Sequence, residues 1–172
     1  MPVFGNTVKG ANEGFALTDW LRGFRIYIGI AGKITQVTLY MKADISVGGV
    51  PQKTAAYSDI AGVPDTLLGN SDEVLKPDGF EGWAQYPFPP AQQPNVSIGY
   101  YWASRLSGDQ YHGYFDTGVA NQDVTKLSVP YNGFPATFPA PDAFGSANVS
   151  VYFSVSPTSA GHVKRNAVHG GL

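Results

Sequence analysis

The sequence lacks cysteine altogether, and it is poor in charged residues and in long apolar runs. The 172 residues include no Cys, which excludes disulfide bonds and thiolate metal sites. Charged residues make up only 14% and hydrophobic residues 43%, a balance that opposes intrinsic disorder. No apolar run approaches the ~20 residues of a membrane-spanning helix, so we expect no membrane insertion. The length suits one folded domain with a substantial core.

Clustered basic residues are lacking as well. The formal net charge is −2, the pI is near 5.8, and Lys164-Arg165 is the single adjacent basic pair. A surface that follows phosphates needs grouped Lys and Arg side chains. We therefore predict no nucleic-acid partner and no binding to an anionic membrane. The first residues, Met-Pro-Val-Phe-Gly-Asn, show neither the basic nor the apolar region of a signal peptide.

The residues that are abundant favour strands and turns. Aromatic residues make up 13%, including 10 Tyr and 10 Phe, and 21 Gly with 13 Pro indicate many turns. Alternation of apolar and polar residues dominates, and no long segment shows a helical period. This pattern predicts an all-β, antiparallel β-sandwich of about eight strands. We expect a single domain over residues 1–156, followed by an extended C-terminal tail over 157–172.

The clearest alternation predicts a hairpin near the start of the chain. Residues 24–30 are expected to pair with residues 33–41 across the turn Ala31-Gly32, with Ile26 opposite Val37. The predicted inward set is Phe24, Ile26, Ile28, Val37, Leu39 and Met41.

A second hairpin is predicted between residues 98–106 and 111–116, joined by the loop 107–110. Its predicted inward set is Ile98, Tyr100, Trp102, Leu106, Tyr111 and Phe115. Further strands are expected near residues 54–58, 71–76, 82–88, 127–129 and 148–156, with the rest of 117–146 as a long surface excursion.

The stretch from Ala56 to Val74 reads as turn framework. Asp59, Gly62 and Pro64 favour tight turns, each through its own backbone preference. The stretch carries no evident nucleophile–base pair and no group of metal ligands. We therefore interpret it as scaffold.

Several short segments share a pattern of turns and core positions over roughly residues 4–156. They are Phe4-Gly5-Asn6-Thr7, Arg22-Gly23-Phe24-Arg25-Ile26, Ala31-Gly32-Lys33-Ile34-Thr35, Tyr57-Ser58-Asp59, Gly62-Val63-Pro64, Leu67-Leu68, Gly82-Trp83-Ala84-Gln85-Tyr86-Pro87-Phe88, Tyr101-Trp102 and Tyr114-Phe115-Asp116. In this order they resemble the jelly-roll-like β-sandwich module of bacterial surface proteins and of phage tail or fibre proteins.

The resemblance implies a non-catalytic role and a jelly-roll-like form of the sandwich. With no signal peptide, it suggests a structural virion protein of a bacteriophage, made in the host cytoplasm and displayed on the virion surface. Such a minor tail or capsid decoration protein would contact copies of itself or other virion proteins. The alternative implied is a carbohydrate- or receptor-binding module for host adsorption, with a host-surface glycan as partner.

The outward face of the second hairpin carries the main candidate residues for a ligand site or an interface. They are Tyr101, Arg105, His112, Tyr114 and Asp116. Three interpretations are open: ordinary cross-strand pairing, a contact between subunits, where Tyr and Arg are enriched, and stacking and hydrogen bonding to a sugar. Trp83 is a further candidate, because an outward Trp could stack on a ligand or cap an edge of the core.

Metal binding and catalysis find little support in the sequence. Four acidic residues, Asp59, Asp65, Asp72 and Glu73, invite a calcium site, but no Asp-x-Asp-x-Asp-Gly pattern occurs. We expect Asp59 and Asp65 to cap turns instead. No Gly-x-Ser-x-Gly motif is present, and His112 and Asp116 are too far apart on one extended strand for a direct bond. We predict no catalytic residue, metal or cofactor.

Overall fold

The computed structural model describes residues 1–16, 18–43 and 49–158, which form two antiparallel sheets. The first sheet contains eight strands: β1 (Val3–Gly5), β2 (Asn12–Ala16), β4 (Gly32–Ala43), β8 (Glu81–Pro87), β9 (Asn95–Val96), β11 (Tyr111–Thr117), β14 (Ala147–Val149) and β15 (Val151–Pro157). The second contains seven: β3 (Leu21–Ile28), β5 (Val50–Ile60), β6 (Val63–Asn70), β7 (Val74–Lys76), β10 (Gly99–Ser107), β12 (Asp123–Lys126) and β13 (Ala143–Gly145).

The predicted all-β antiparallel sandwich is therefore confirmed, although its strands are more numerous than the eight or so expected. In the first sheet, β4 pairs with β8, β9, β11 and β15. The second sheet has the order β13-β12-β3-β10-β5-β6. Among the described residues, helical conformation is limited to a 3-10 turn at Pro90–Gln92, and no helix is long and apolar enough to cross a membrane.

The main core lies between the two sheets. Each sheet contributes the side chains of alternate residues, because successive residues of a strand point to opposite faces. The largest contributions come from Phe24, Ile26, Ile28, Ile34, Val37, Leu39, Met41, Tyr86, Tyr111, Phe153 and Val155. The predicted inward residues of the segments at 82–88 and 148–156 are confirmed here, since Ala84, Tyr86, Phe88, Val149, Val151, Phe153 and Val155 are all buried.

A second core covers the outer face of the second sheet. Trp102 and Tyr57 are fully buried there, and Val129 and Phe138 close over them from the segment that follows β12. The Tyr57 ring meets Phe138 edge to face at 5.2 Å, and its hydroxyl donates to the Pro135 carbonyl at 2.8 Å. The segment 127–138 is thus packed structure. The short strand predicted at 127–129 is wrong, because the strand ends at Lys126.

The first predicted hairpin is wrong in its pairing and right in its faces. β3 pairs with β10 and β12, whereas β4 belongs to the other sheet. All six residues of the predicted inward set are nevertheless buried in the main core. Alternation specifies which face of a strand is buried but not which strand lies beside it. Residues 29–31 therefore cross between the sheets instead of forming a hairpin turn.

The second predicted hairpin is also wrong, because β10 and β11 lie in different sheets. The face assignment of β10 is shifted by one residue as well. Tyr101 and Ala103 pack on the main core, while Trp102 lies in the second core and Ile98 is 61% exposed. Both faces of β10 are covered by apolar side chains, so alternation could not show which face is the inner one.

The turn predicted within the stretch from Ala56 to Val74 is confirmed. β5 and β6 form a two-residue hairpin in which Ile60 pairs with Val63. Ala61 and Gly62 have φ angles of 53° and 86°, as a tight hairpin turn requires. The prediction missed β6 itself. Of the predicted tail, residues 159–172 lie outside the described residues.

Candidate functional site

The prediction that Arg105 faces outward is wrong, because its side chain points into the molecule. The residue is only 2% exposed, and its guanidinium lies over the ring of Tyr111. Burial lowers the pKa of Arg105 below its ordinary value. In the described part of the chain, its Nε has no hydrogen-bond partner. Arg105 is therefore an interior residue and not a surface ligand.

Tyr101 is likewise turned toward the main core, against which its ring packs. Its hydroxyl donates to the Ser97 carbonyl at 3.2 Å and accepts from the Ser97 amide at 3.1 Å. Tyr101 and Arg105 thus lie in the second sheet, and His112, Tyr114 and Asp116 lie in the first. The five residues do not form one surface.

The candidate residues of β11, which are His112, Tyr114 and Asp116, do face outward, but neighbouring residues hold their side chains. His112 Nδ1 lies 2.5 Å from a Glu13 carboxylate oxygen. Asp116 accepts a hydrogen bond from the Ala11 amide at 2.9 Å. Both partners come from the N-terminal segment that contains β2. These contacts join β11 to that segment, which fits a structural role for the two residues.

Tyr114 belongs to an aromatic cluster on the outer face of the first sheet. Its ring meets Tyr40 edge to face at 5.1 Å, and Tyr40 meets Trp83 at 5.4 Å. The Lys9 ammonium covers the rings of Tyr40 and Tyr114 at 4.9 and 4.3 Å. Tyr114 is buried under these neighbours, so its ring face is not open to a ligand. Trp83 also faces outward in this cluster, and it is partly buried there.

Glu81 supplies the acceptor for this cluster. It accepts from Lys9 Nζ at 2.8 Å and from the hydroxyls of Tyr114 and Tyr40 at 3.3 and 3.4 Å. The hydrogen bond from Lys9 contributes most to lowering the pKa of Glu81 below its ordinary range. The same bond raises the pKa of Lys9. The cluster is therefore internally paired.

A cleft of about 490 Å³ opens between the two sheets, on a side of the molecule that the sequence did not single out. Arg25 and Tyr27 of β3 and Tyr100 of β10 line it from the second sheet. Asn6, after β1, and Asn148 of β14 line it from the first. Tyr27 and Tyr100 are 52% and 49% exposed, and their rings meet at 5.1 Å. In the sequence, Arg25 and Tyr27 alternate with predicted inward residues, which indicated that their side chains face outward.

Arg25 is held in place at the cleft by an ion pair beneath it. Its Nε and Nη2 atoms donate to the two carboxylate oxygens of Asp59 at 2.7 and 3.1 Å. Trp102 Nε1 and the Gly62 amide also donate to Asp59, at 2.8 and 3.1 Å. Burial by itself raises the pKa of Asp59, but the hydrogen bonds from Arg25, Gly62 and Trp102 outweigh it and lower the pKa. The predicted turn-capping role of Asp59 is confirmed by the bond from Gly62.

The other acidic residues of the calcium hypothesis do not converge on one point, although Asp72 and Glu73 are neighbours in the chain. Asp65 accepts from the hydroxyl of its neighbour Thr66 at 2.7 Å, and Glu73 lies 3.9 Å from Lys53. Asp72 is exposed. Within the ranges that the structure describes, no three His, Asp or Glu side chains are grouped so that they could hold a metal ion.

A shallow depression of about 480 Å³, lined by apolar side chains together with Arg25 and Asn121, lies beside Arg25, and we call it the β5–β6 patch. It is formed by Val63 and Ala61 at the β5–β6 turn, by Ala120, and by Phe144 of β13. Phe144 is 49% exposed, and Ile60, the partner of Val63, is also exposed. Val63, Ile60 and Phe144 are thus exposed apolar side chains near one depression, where a partner could cover them.

Comparison with known proteins gives no match to a family model, to a curated protein or to a solved structure.

Proposed function

We propose that the chain is a non-catalytic structural protein of a bacteriophage particle, either a minor tail protein or a capsid decoration protein displayed on the particle surface. The sequence resemblance suggests this role, and the two-sheet sandwich agrees with the module that the resemblance implies. Its partners in the particle are copies of itself or other virion proteins.

The observation that carries the proposal is the β5–β6 patch. Val63 and Phe144 project from two strands of the second sheet around one depression. Burying such side chains against a partner removes apolar surface from water, which favours association by about 25 cal/mol per Å². The Ile60–Val63 pair of the two-residue hairpin defines the backbone conformation of Val63, which limits the conformational entropy lost when a partner binds.

Charged substitutions in the patch are expected to block incorporation into particles. We expect the double variant Val63→Asp, Phe144→Asp to lose incorporation by about tenfold or more, because two carboxylates would be desolvated in an apolar contact. The measurement is the amount of tagged chain that co-purifies with particles from producing cells.

Leu75→Asp is the matched control, since Leu75 is an exposed apolar residue on β7. This variant should be incorporated like the wild type. Equal incorporation of the patch variant and the wild type would contradict the assigned contact. Circular dichroism and thermal melting confirm that both variants are folded.

The alternative function, a glycan- or receptor-binding module for host adsorption, stays a prediction. The surface on which the sequence placed it is not assembled, because Arg105 is buried and Tyr101 packs on the core. A ligand site therefore has to be sought on another part of the molecule.

A further inference from the structure

We propose that the cleft between the two sheets binds a neutral sugar ring of an oligosaccharide. Tyr27 and Tyr100 stand directly opposite each other on neighbouring strands, and about half of each side chain is exposed to the cleft and the solvent. Sugar rings present C–H groups on one face and hydroxyls at their edges. They are therefore recognised by an aromatic face combined with groups that both donate and accept hydrogen bonds.

The edge of β3 supplies main-chain hydrogen-bonding groups to the cleft. β12 pairs with β3 only over Leu21–Phe24, and the Arg25 amide then donates to the Gln122 carbonyl at 2.9 Å. Residues two apart on a strand direct their main-chain groups to the same edge. The amide and carbonyl of Tyr27 therefore point into the cleft, beyond the end of β12. Among the described strands, none pairs with Tyr27 on that side.

Side-chain amides complete the polar lining. Gln122 Oε1 accepts from the Val119 amide at 2.8 Å, which fixes the side chain and leaves its Nε2 without a protein partner in the described part of the chain. Among the described residues, the Asn148 side-chain amide also has no hydrogen-bond partner. Asn6 is already bonded at both ends, to the Asn148 carbonyl and the Val8 amide, so it shapes the wall. Amides match sugar hydroxyls because both donate and accept.

Charge and rigidity favour a neutral ligand in this cleft. The Arg25 guanidinium is neutralised by the two-point bond to Asp59, so it offers no free charge for an anion. It also lies 4.1 Å from the centre of the Tyr100 ring, which covers one face of that ring and holds it. Tyr27 is left to stack on the sugar. The cleft volume lies within the ~300–1,000 Å³ typical of small-ligand sites. Hydrogen bonds within the protein hold the side chains of Arg25, Gln122 and Asn6 in its walls.

The test uses the purified full chain, biotinylated and tetramerised on streptavidin, on an array of neutral oligosaccharides that includes maltohexaose, cellohexaose and mannohexaose. We expect binding to at least one of them. Titration calorimetry with that oligosaccharide should then show that Tyr27→Ala and Asn148→Ala each bind it with an affinity about tenfold or more below that of the wild type. Both variants should remain folded, as thermal melting will show, because both side chains are at least partly exposed and, among the described residues, Tyr27→Ala loses only the edge contact with Tyr100.

Tyr152→Ala is the matched control, since Tyr152 is a tyrosine of the other sheet that packs on Trp83. It should bind like the wild type. Absence of binding to every oligosaccharide by the tetramerised wild type would overturn the proposal, and so would equal affinity of wild type, Tyr27→Ala and Asn148→Ala. Binding of an extended peptide in place of any sugar would overturn it as well. None of these readouts depends on incorporation into particles, so failure here leaves the proposed function to its own test.

Discussion

Replacing Trp102 with alanine is expected to lower the free energy of unfolding by about 3–5 kcal/mol. The Trp102 ring is fully buried in the second core, and its removal leaves a cavity beneath Val129 and Phe138. The substitution also removes the indole N–H that donates to Asp59 at 2.8 Å. Urea denaturation followed by circular dichroism measures the change.

Ile98→Ala is the control for this prediction. The sequence pattern placed Ile98 and Trp102 on the same inward face, whereas in the structure Ile98 is exposed. We therefore expect Ile98→Ala to change the free energy of unfolding by less than about 0.5 kcal/mol. If Trp102→Ala were no more destabilising than Ile98→Ala, the second core would not exist as described.

Replacing Asp59 with alanine is expected to lower the free energy of unfolding by about 2–3 kcal/mol at neutral pH. The substitution leaves Arg25 without its counter-charge and the Trp102 N–H without its acceptor. Because Asp59 and Trp102 are in contact, the effects of their two substitutions should not add. Asp65→Ala is the control in the same hairpin. Its carboxylate bonds only to the adjacent Thr66 hydroxyl among the described residues, so we expect less than about 1 kcal/mol.

The contribution of Asp59 should also depend on pH. The fold lowers the pKa of Asp59, so the stabilisation is fully present above the pKa of the unfolded chain, about 4. It is lost as the pH falls through the lower pKa of the folded state. The difference in stability between wild type and Asp59→Ala should therefore narrow in acid. A difference that stays constant from neutral pH to acid would contradict this assignment.

The sequence predicted which face of a strand is buried far better than it predicted which strands pair with each other. Phe24 and Val37 were correctly placed in the core, but the pattern could not show that they enter it from opposite sheets. A short link between two alternating strands is compatible with a hairpin and with a crossing between sheets. Where both faces of a strand are apolar, as in β10, alternation fails altogether. Arg105 was placed outside for that reason, although its side chain is buried.

The candidate sites could not be predicted for the same reason, since alternation does not specify which strands lie side by side. The predicted surface depended on pairing β10 with β11, so it was lost when these strands fell in different sheets. The cleft, in contrast, is formed by Tyr27, Tyr100, Gln122 and Asn148, which come from four separate parts of the chain. No local pattern connects them. The outward position of Arg25 and Tyr27 was visible in the sequence, but its significance depends on the end of β12.

The central claim, that the chain is a structural protein of a phage particle, is tested most directly by locating it in intact particles. Antibodies against the chain, applied to purified wild-type particles and viewed by electron microscopy, should label a regular set of positions on the tail or the capsid. Reconstruction of the same particles should show density at those positions that fits the two-sheet sandwich. Complete absence of the chain from purified, infectious particles would contradict the claim.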